Sequence, residues 1–116
     1  MIDWSEALAM MGGDEMLLVE VIEAFQQETP QVMADLRQAI LKRDTQLLHR
    51  SAHMLKNSLL TLGAAASGET AFALETLGRN NELRGADPLL ATLESELPEI
   101  HKELKRFVDA KRRSGG

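Results

Sequence analysis

Two of the three histidines, His49 and His53, lie four residues apart, and the second is followed closely by Lys56 and Asn57. These types in this order can do phosphoryl chemistry. Neutral imidazole is a good nucleophile near pH 7, because an unperturbed histidine titrates near pH ~6.5. Phosphoryl transfer asks mainly for positioning and charge stabilisation. A lysine three residues beyond the nucleophile puts an ammonium on the same helical face, and an asparagine four beyond it adds an amide donor. A His pair at this spacing can also bind zinc or nickel, but no third or fourth ligand lies nearby, so no metal site is expected. No carboxylate–histidine cluster supports a hydrolase. No Gly-rich nucleotide loop supports an ATP-using kinase.

The segment from Asp44 to Gly63 must carry these side chains. Asp44 is a helix cap and Gly63 a stop. Each helical residue turns about 100° around the axis. With His53 at zero, Leu48, Leu55, Leu59 and Leu62 fall roughly 120–180° away and form the buried face, with Ala52 and Ser58 at its edges. His49, Lys56, Asn57 and Leu60 lie within about 60° of His53. His53 therefore points to solvent, in a patch that also shows a leucine.

The flanking elements read as helices too. Asp3 and Glu6 resemble a capping box opening a short helix with Trp4, Leu8 and Met11, which Gly12-Gly13 ends. Asp14 caps a second helix with Leu17, Leu18, Val21, Ile22 and Phe25 along one stripe. Thr29-Pro30 reads as a cap and restart, opening a third with Val32, Met33, Leu36, Ala39 and Ile40. After the His53 helix, a fifth spans roughly 65–80 with Phe72, Ala73 and Leu77 inward. Asp87-Pro88 opens the last, which Pro98 should kink. The expected fold is all-α: an up-down-up-down antiparallel four-helix bundle with two additional short N-terminal helices packed across it. Residues 1–113 are expected to form one domain and 114–116 a disordered end.

Composition agrees. The 116 residues are 44% hydrophobic but only 3% aromatic, without tyrosine or cysteine. That favours helices and excludes disulfides and thiolate chemistry. The net charge of −5 argues against nucleic-acid binding. The basic run Lys111, Arg112, Arg113 reads as a solvated end. No stretch approaches a membrane span and no signal-peptide pattern opens the chain, so a soluble, cytoplasmic domain is expected. Met10, Met11 and Met54 could fill gaps or line a partner surface, and His101 reads as structural or solvated.

The run His53-Met54-Leu55-Lys56-Asn57-Ser58-Leu59-Leu60-Thr61-Leu62-Gly63-Ala64 resembles the signature of histidine-containing phosphotransfer (HPt) domains. That signature runs His-x-Leu-Lys-Gly-Ser, three variable residues, an aliphatic residue, Gly and Ala. Gly12-Gly13-Asp14 and the run from Phe25 to Leu36 extend the likeness over nearly the whole chain. The resemblance implies a solvent-exposed phosphoacceptor, His53. It would take a phosphoryl group from a receiver-domain phosphoaspartate and pass it to a second receiver in a two-component phosphorelay. Lys56 would stabilise the phosphoryl group. A polar or basic pair is often found on the next helix of the family, where Glu75 and Arg79 stand; with His49 and Leu60 they are expected to meet the partner. The implied partners are response-regulator receivers and a hybrid sensor histidine kinase. The domain would be a monomeric carrier without a cofactor, with magnesium supplied by the receiver. Asn57 departs from the pattern, since the family has a glycine there that lets the receiver approach. The competing reading is a helical adaptor that docks without carrying phosphate.

Overall fold

The computed structural model describes residues 1–114 and is all-helical. Five helices follow in order: α1 (Trp4–Met10), α2 (Glu15–Leu41), α3 (Thr45–Thr61), α4 (Ala65–Arg79) and α5 (Ala86–Ser114). Three acidic caps start helices where expected. Asp3, Asp14 and Asp44 each accept from the backbone N–H three residues on, at Glu6, Leu17 and Leu47, all at 3.0 Å.

The N-terminal half departs from expectation at Thr29-Pro30. No helix ends there, and α2 runs unbroken through Pro30. Thr29 does not cap. Its buried hydroxyl donates back to the Phe25 carbonyl one turn earlier. The stripes before and after the proline are continuous, with Ile22, Phe25, Met33 and Leu36 all buried, so core packing holds one helix where local chemistry signals two. One short helix therefore precedes the bundle instead of two. Asp87 and Pro88 lie inside the first turn of α5, which starts at Ala86. The C-terminal basic run is helical, and Lys111 and Arg112 ion-pair with Glu15 and Glu23 of α2. Ser114 ends α5; the rest of the expected disordered end lies outside the described residues.

Helices α2, α3, α4 and α5 form a closed ring in which each packs on its two neighbours. Residues 42–44, 62–64 and 80–85 make the connections, which are short enough to return the chain beside itself. The core holds Leu18, Ile22, Leu36, Leu48, Leu55, Leu59, Leu74, Leu93, Ile100 and Leu104, all essentially inaccessible to water. Helix α1 is fastened at its start. The Asp3 N–H donates to the Gly63 carbonyl at 2.9 Å, and Trp4 stacks on Phe107 of α5 with centroids 4.6 Å apart. Gly63 has φ +77°, and a Cβ there would lie 2.4 Å from the Asp3 carbonyl oxygen. Only glycine both turns the chain out of α3 and admits the N-terminal segment.

The α3–α4 pair positions the site. Along it His49 faces Gly78, His53 faces Glu75 and Leu60 faces Gly68, an antiparallel register. A Cβ on Gly78 would come within 2.6 Å of the His49 backbone nitrogen, and one on Gly68 within 2.7 Å of Leu60 Cδ2. The buried stripe of α4 is Ser67, Gly68, Ala71, Leu74, Glu75 and Gly78. Phe72, expected inward, is 47% exposed, because its position lies off this buried stripe.

Candidate functional site

The face of α3 reads out as its periodicity requires. Leu48, Leu55, Leu59 and Leu62 are buried, and the His53 side chain is 49% exposed on the opposite side. The expected site residues His49, His53, Lys56 and Asn57 come together there, joined by Glu75 and Arg79 from α4.

Glu75 is the centre of the group. Its side chain is only 3% exposed, so it lies beneath the surface and not on it. Oε2 accepts from His53 Nδ1 at 3.1 Å and from Arg79 Nη2 at 3.0 Å. Oε1 lies 2.8 Å from Lys56 Nζ, off the line of a regular hydrogen bond. The Glu75 backbone carbonyl accepts from His49 Nδ1 at 3.3 Å. Burial acts to raise the Glu75 pKa. The contacts from Lys56 and His53 outweigh it, so the carboxyl titrates below its ordinary range. A buried carboxylate without such partners would cost several kcal/mol, roughly 3–5 when one partner is removed.

This carboxylate sets the chemistry of the ring. An ionised carboxylate only accepts, so Nδ1 carries the proton and the neutral ring keeps its lone pair on Nε2. Nε2, the nitrogen not bonded to Glu75, lies 3.1 Å from Asn57 Nδ2. Lys56, 17% exposed, is held between the Glu75 carboxylate and the face of Phe72, whose ring centre is 5.3 Å from Nζ. Lys56 and Arg79 together outnumber Glu75 in charge by one, so the cluster is cationic and suited to a phosphoryl group. Leu60 is 43% exposed and rests over Gly68; Met54 stands exposed beside His53. A groove of about 460 Å³ opens next to the site, lined by Gln46, His49, Arg50, Gly78, Arg79 and Asn81.

The family model for the Hpt domain matches residues 20–109. The chain belongs to the Hpt domain family. No curated protein and no solved structure matches it. As an Hpt domain it serves histidine phosphotransfer in two-component signalling, where such domains are phosphocarriers that interact with receiver domains and histidine kinases and are not themselves kinases. No helix among the described residues is long and apolar enough to cross a membrane.

Sequence reasoning placed Glu75 at the surface with Arg79 and did not see it as the buried centre. The signal was there in Gly68, Ala71, Glu75 and Gly78, which recur at three- and four-residue steps. A carboxylate in the middle of a small-residue stripe faces the neighbouring helix.

Proposed function

We propose that this Hpt domain is a phosphorelay intermediate that accepts a phosphoryl group on Nε2 of His53 from a receiver phosphoaspartate and passes it to the aspartate of a second receiver. One observation carries the reading. The exposed imidazole is held from below by a buried carboxylate at Nδ1, which leaves the other nitrogen as the nucleophile. In the forward step the Nε2 lone pair bonds to phosphorus, the acyl-phosphate O–P bond breaks, and the aspartate leaves as its carboxylate. The positive charge that develops on the ring is shared with Nδ1–H and met by Glu75. Lys56, bound to the same carboxylate as the ring, shifts from Glu75 toward the new phosphoryl oxygens, and Arg79 meets the same charge.

In this reading Leu60, Met54 and His49 border the surface that a receiver covers. The receiver of a hybrid sensor kinase is the donor and brings the magnesium. The domain acts as a cytoplasmic monomer. Leu60→Asp is expected to slow transfer from a cognate receiver by about tenfold or more while leaving the fold intact, since a charge in an apolar interface core costs at least ~1.4 kcal/mol. An unchanged transfer rate would displace the docking surface from Leu60.

The deciding experiment is transfer from a phosphorylated receiver to the wild type and to His53→Gln. Acid-labile, base-stable label on the wild type alone is the expected outcome. Label on neither, across several receivers, would favour the adaptor reading, for which the occupancy of Nε2 by Asn57 is the specific support.

A further inference from the structure

Neutral imidazole offers one N–H and one lone pair. The buried Glu75 carboxylate takes the N–H at Nδ1, which puts the lone pair on Nε2. The Asn57 amide nitrogen lies 3.1 Å from that atom. An amide N–H can only donate, so it points at the lone pair. The same lone pair is the one that has to attack phosphorus. The ring is thus gripped at both nitrogens, by Glu75 from below and by Asn57 one helical turn along α3, and both grips select one tautomer. A glycine at residue 57, as in the signature this segment resembles, would leave Nε2 without a donor of this kind.

We infer that Asn57 is a latch on the reactive nitrogen of His53. In the resting domain its amide occupies the Nε2 lone pair, and phosphorylation waits for that amide to turn aside. Once the N–P bond exists, Nε2 has no lone pair to offer, and the released N–H turns to a phosphoryl oxygen. Asn57 thereby lowers the intrinsic reactivity of the histidine independently of how a receiver fits. The inference rests on His53 being the phosphoacceptor.

Phosphoramidate separates the latch from receiver docking, because it phosphorylates imidazole without any partner. The Nε2 lone pair bonds to phosphorus, the P–N bond of the donor breaks, and its protonated amino group leaves as ammonia. The full chain is compared with Asn57→Ala, which removes the donor and keeps a strong helix former in α3, and with Asn57→Asp, whose carboxylate accepts only and draws a proton onto Nε2. NMR of the ring nitrogens follows each histidine separately, with His49 as the internal control. The Ala variant is expected to phosphorylate about 2- to 10-fold faster at His53, the range that one hydrogen bond is worth, with the rate at His49 unchanged. Its Nε2 resonance should move toward that of an undonated lone pair. The Asp variant is expected to be slower than wild type.

An Ala variant no faster than wild type with phosphoramidate overturns the latch. So does an Ala variant faster only with a phosphorylated receiver, which would make Asn57 an obstacle to docking instead. Failure of the phosphoacceptor reading looks different: a receiver would then label neither protein, or would label His53→Gln as much as the wild type, whatever the phosphoramidate ratio.

Discussion

At the scale of single residues the site is governed by one buried charge. Glu75 is an uncommon choice for a helix interface, because an ionised carboxylate is costly to remove from water. Its cost is offset by three cationic or protonated groups, His53, Lys56 and Arg79. Two of these are the groups that the proposed phosphoryl transfer would use, so the interaction that makes Glu75 tolerable also orients the His53 imidazole. Glu75→Gln keeps the shape and an acceptor for Nδ1 but loses the charge. It is expected to slow phosphorylation of His53 about tenfold, matching the loss of one charge-assisted hydrogen bond worth ~1.5 kcal/mol. A single-turnover rate measurement checks this. NMR of the His53 ring nitrogens should show a weakened Nδ1–H bond in the same variant, which a purely structural role for Glu75 would not produce.

At the scale of elements the α3–α4 pair matters most. Glu75 reaches His53 only because α4 lies close against α3, and glycines at the crossing permit that approach. Gly→Ala inside a helix ordinarily stabilises by about 0.5–1 kcal/mol, by restricting the unfolded chain and improving propensity. Gly78→Ala is expected to do the reverse. Its Cβ would sit 2.6 Å from the His49 nitrogen and 2.8 Å from the Thr45 carbonyl oxygen, both backbone atoms that cannot turn aside. The overlap forces the helices apart, at a cost of about 1–3 kcal/mol typical of overpacking. Urea unfolding measures the loss, and the His53–Glu75 hydrogen bond should weaken with it. A stabilised Gly78→Ala would mean that the helices are not held at this distance.

At the scale of the whole molecule, acid acts at three groups. His101 in α5 packs its ring against Phe25, centroids 5.4 Å apart, and burial lowers its pKa below the ordinary 6.5. The unfolded chain therefore takes up this proton at higher pH than the folded one, and stability falls as pH drops below 6.5 toward the folded value. Glu75 is depressed from 4.5, so its contribution is fully present above that pH and is lost as pH falls through its lower folded value. Exposed Glu82 is also lowered from 4.5, mainly by the Arg84 and Leu83 backbone N–H groups. Unfolding free energy measured against pH is expected to decline in two steps. His101→Gln should flatten the upper step. Glu75→Gln should reduce the lower one without abolishing it. An upper step that survives His101→Gln would place its origin elsewhere.

Much of this protein was decided by local sequence. Acidic caps, glycine stops and apolar repeats at three- and four-residue steps mark α1, α3 and the beginning of α2 in the chain itself, because caps and periodicity act within a few residues. The outward direction of His53 follows from the same periodicity, since four leucines claim the opposite face of one helix. Tertiary structure decided the rest. Thr29-Pro30 reads as a helix start, yet continuous core packing through Phe25, Met33 and Leu36 carries α2 across it. Phe72 reads as core, yet the buried stripe of α4 runs through Gly68, Ala71, Leu74, Glu75 and Gly78 and leaves the ring outside over Lys56. The burial of Glu75 and the tautomer it imposes on His53 both depend on the distance between two helices. That distance is set by which side chains interlock, a property of the pair that neither helix encodes alone.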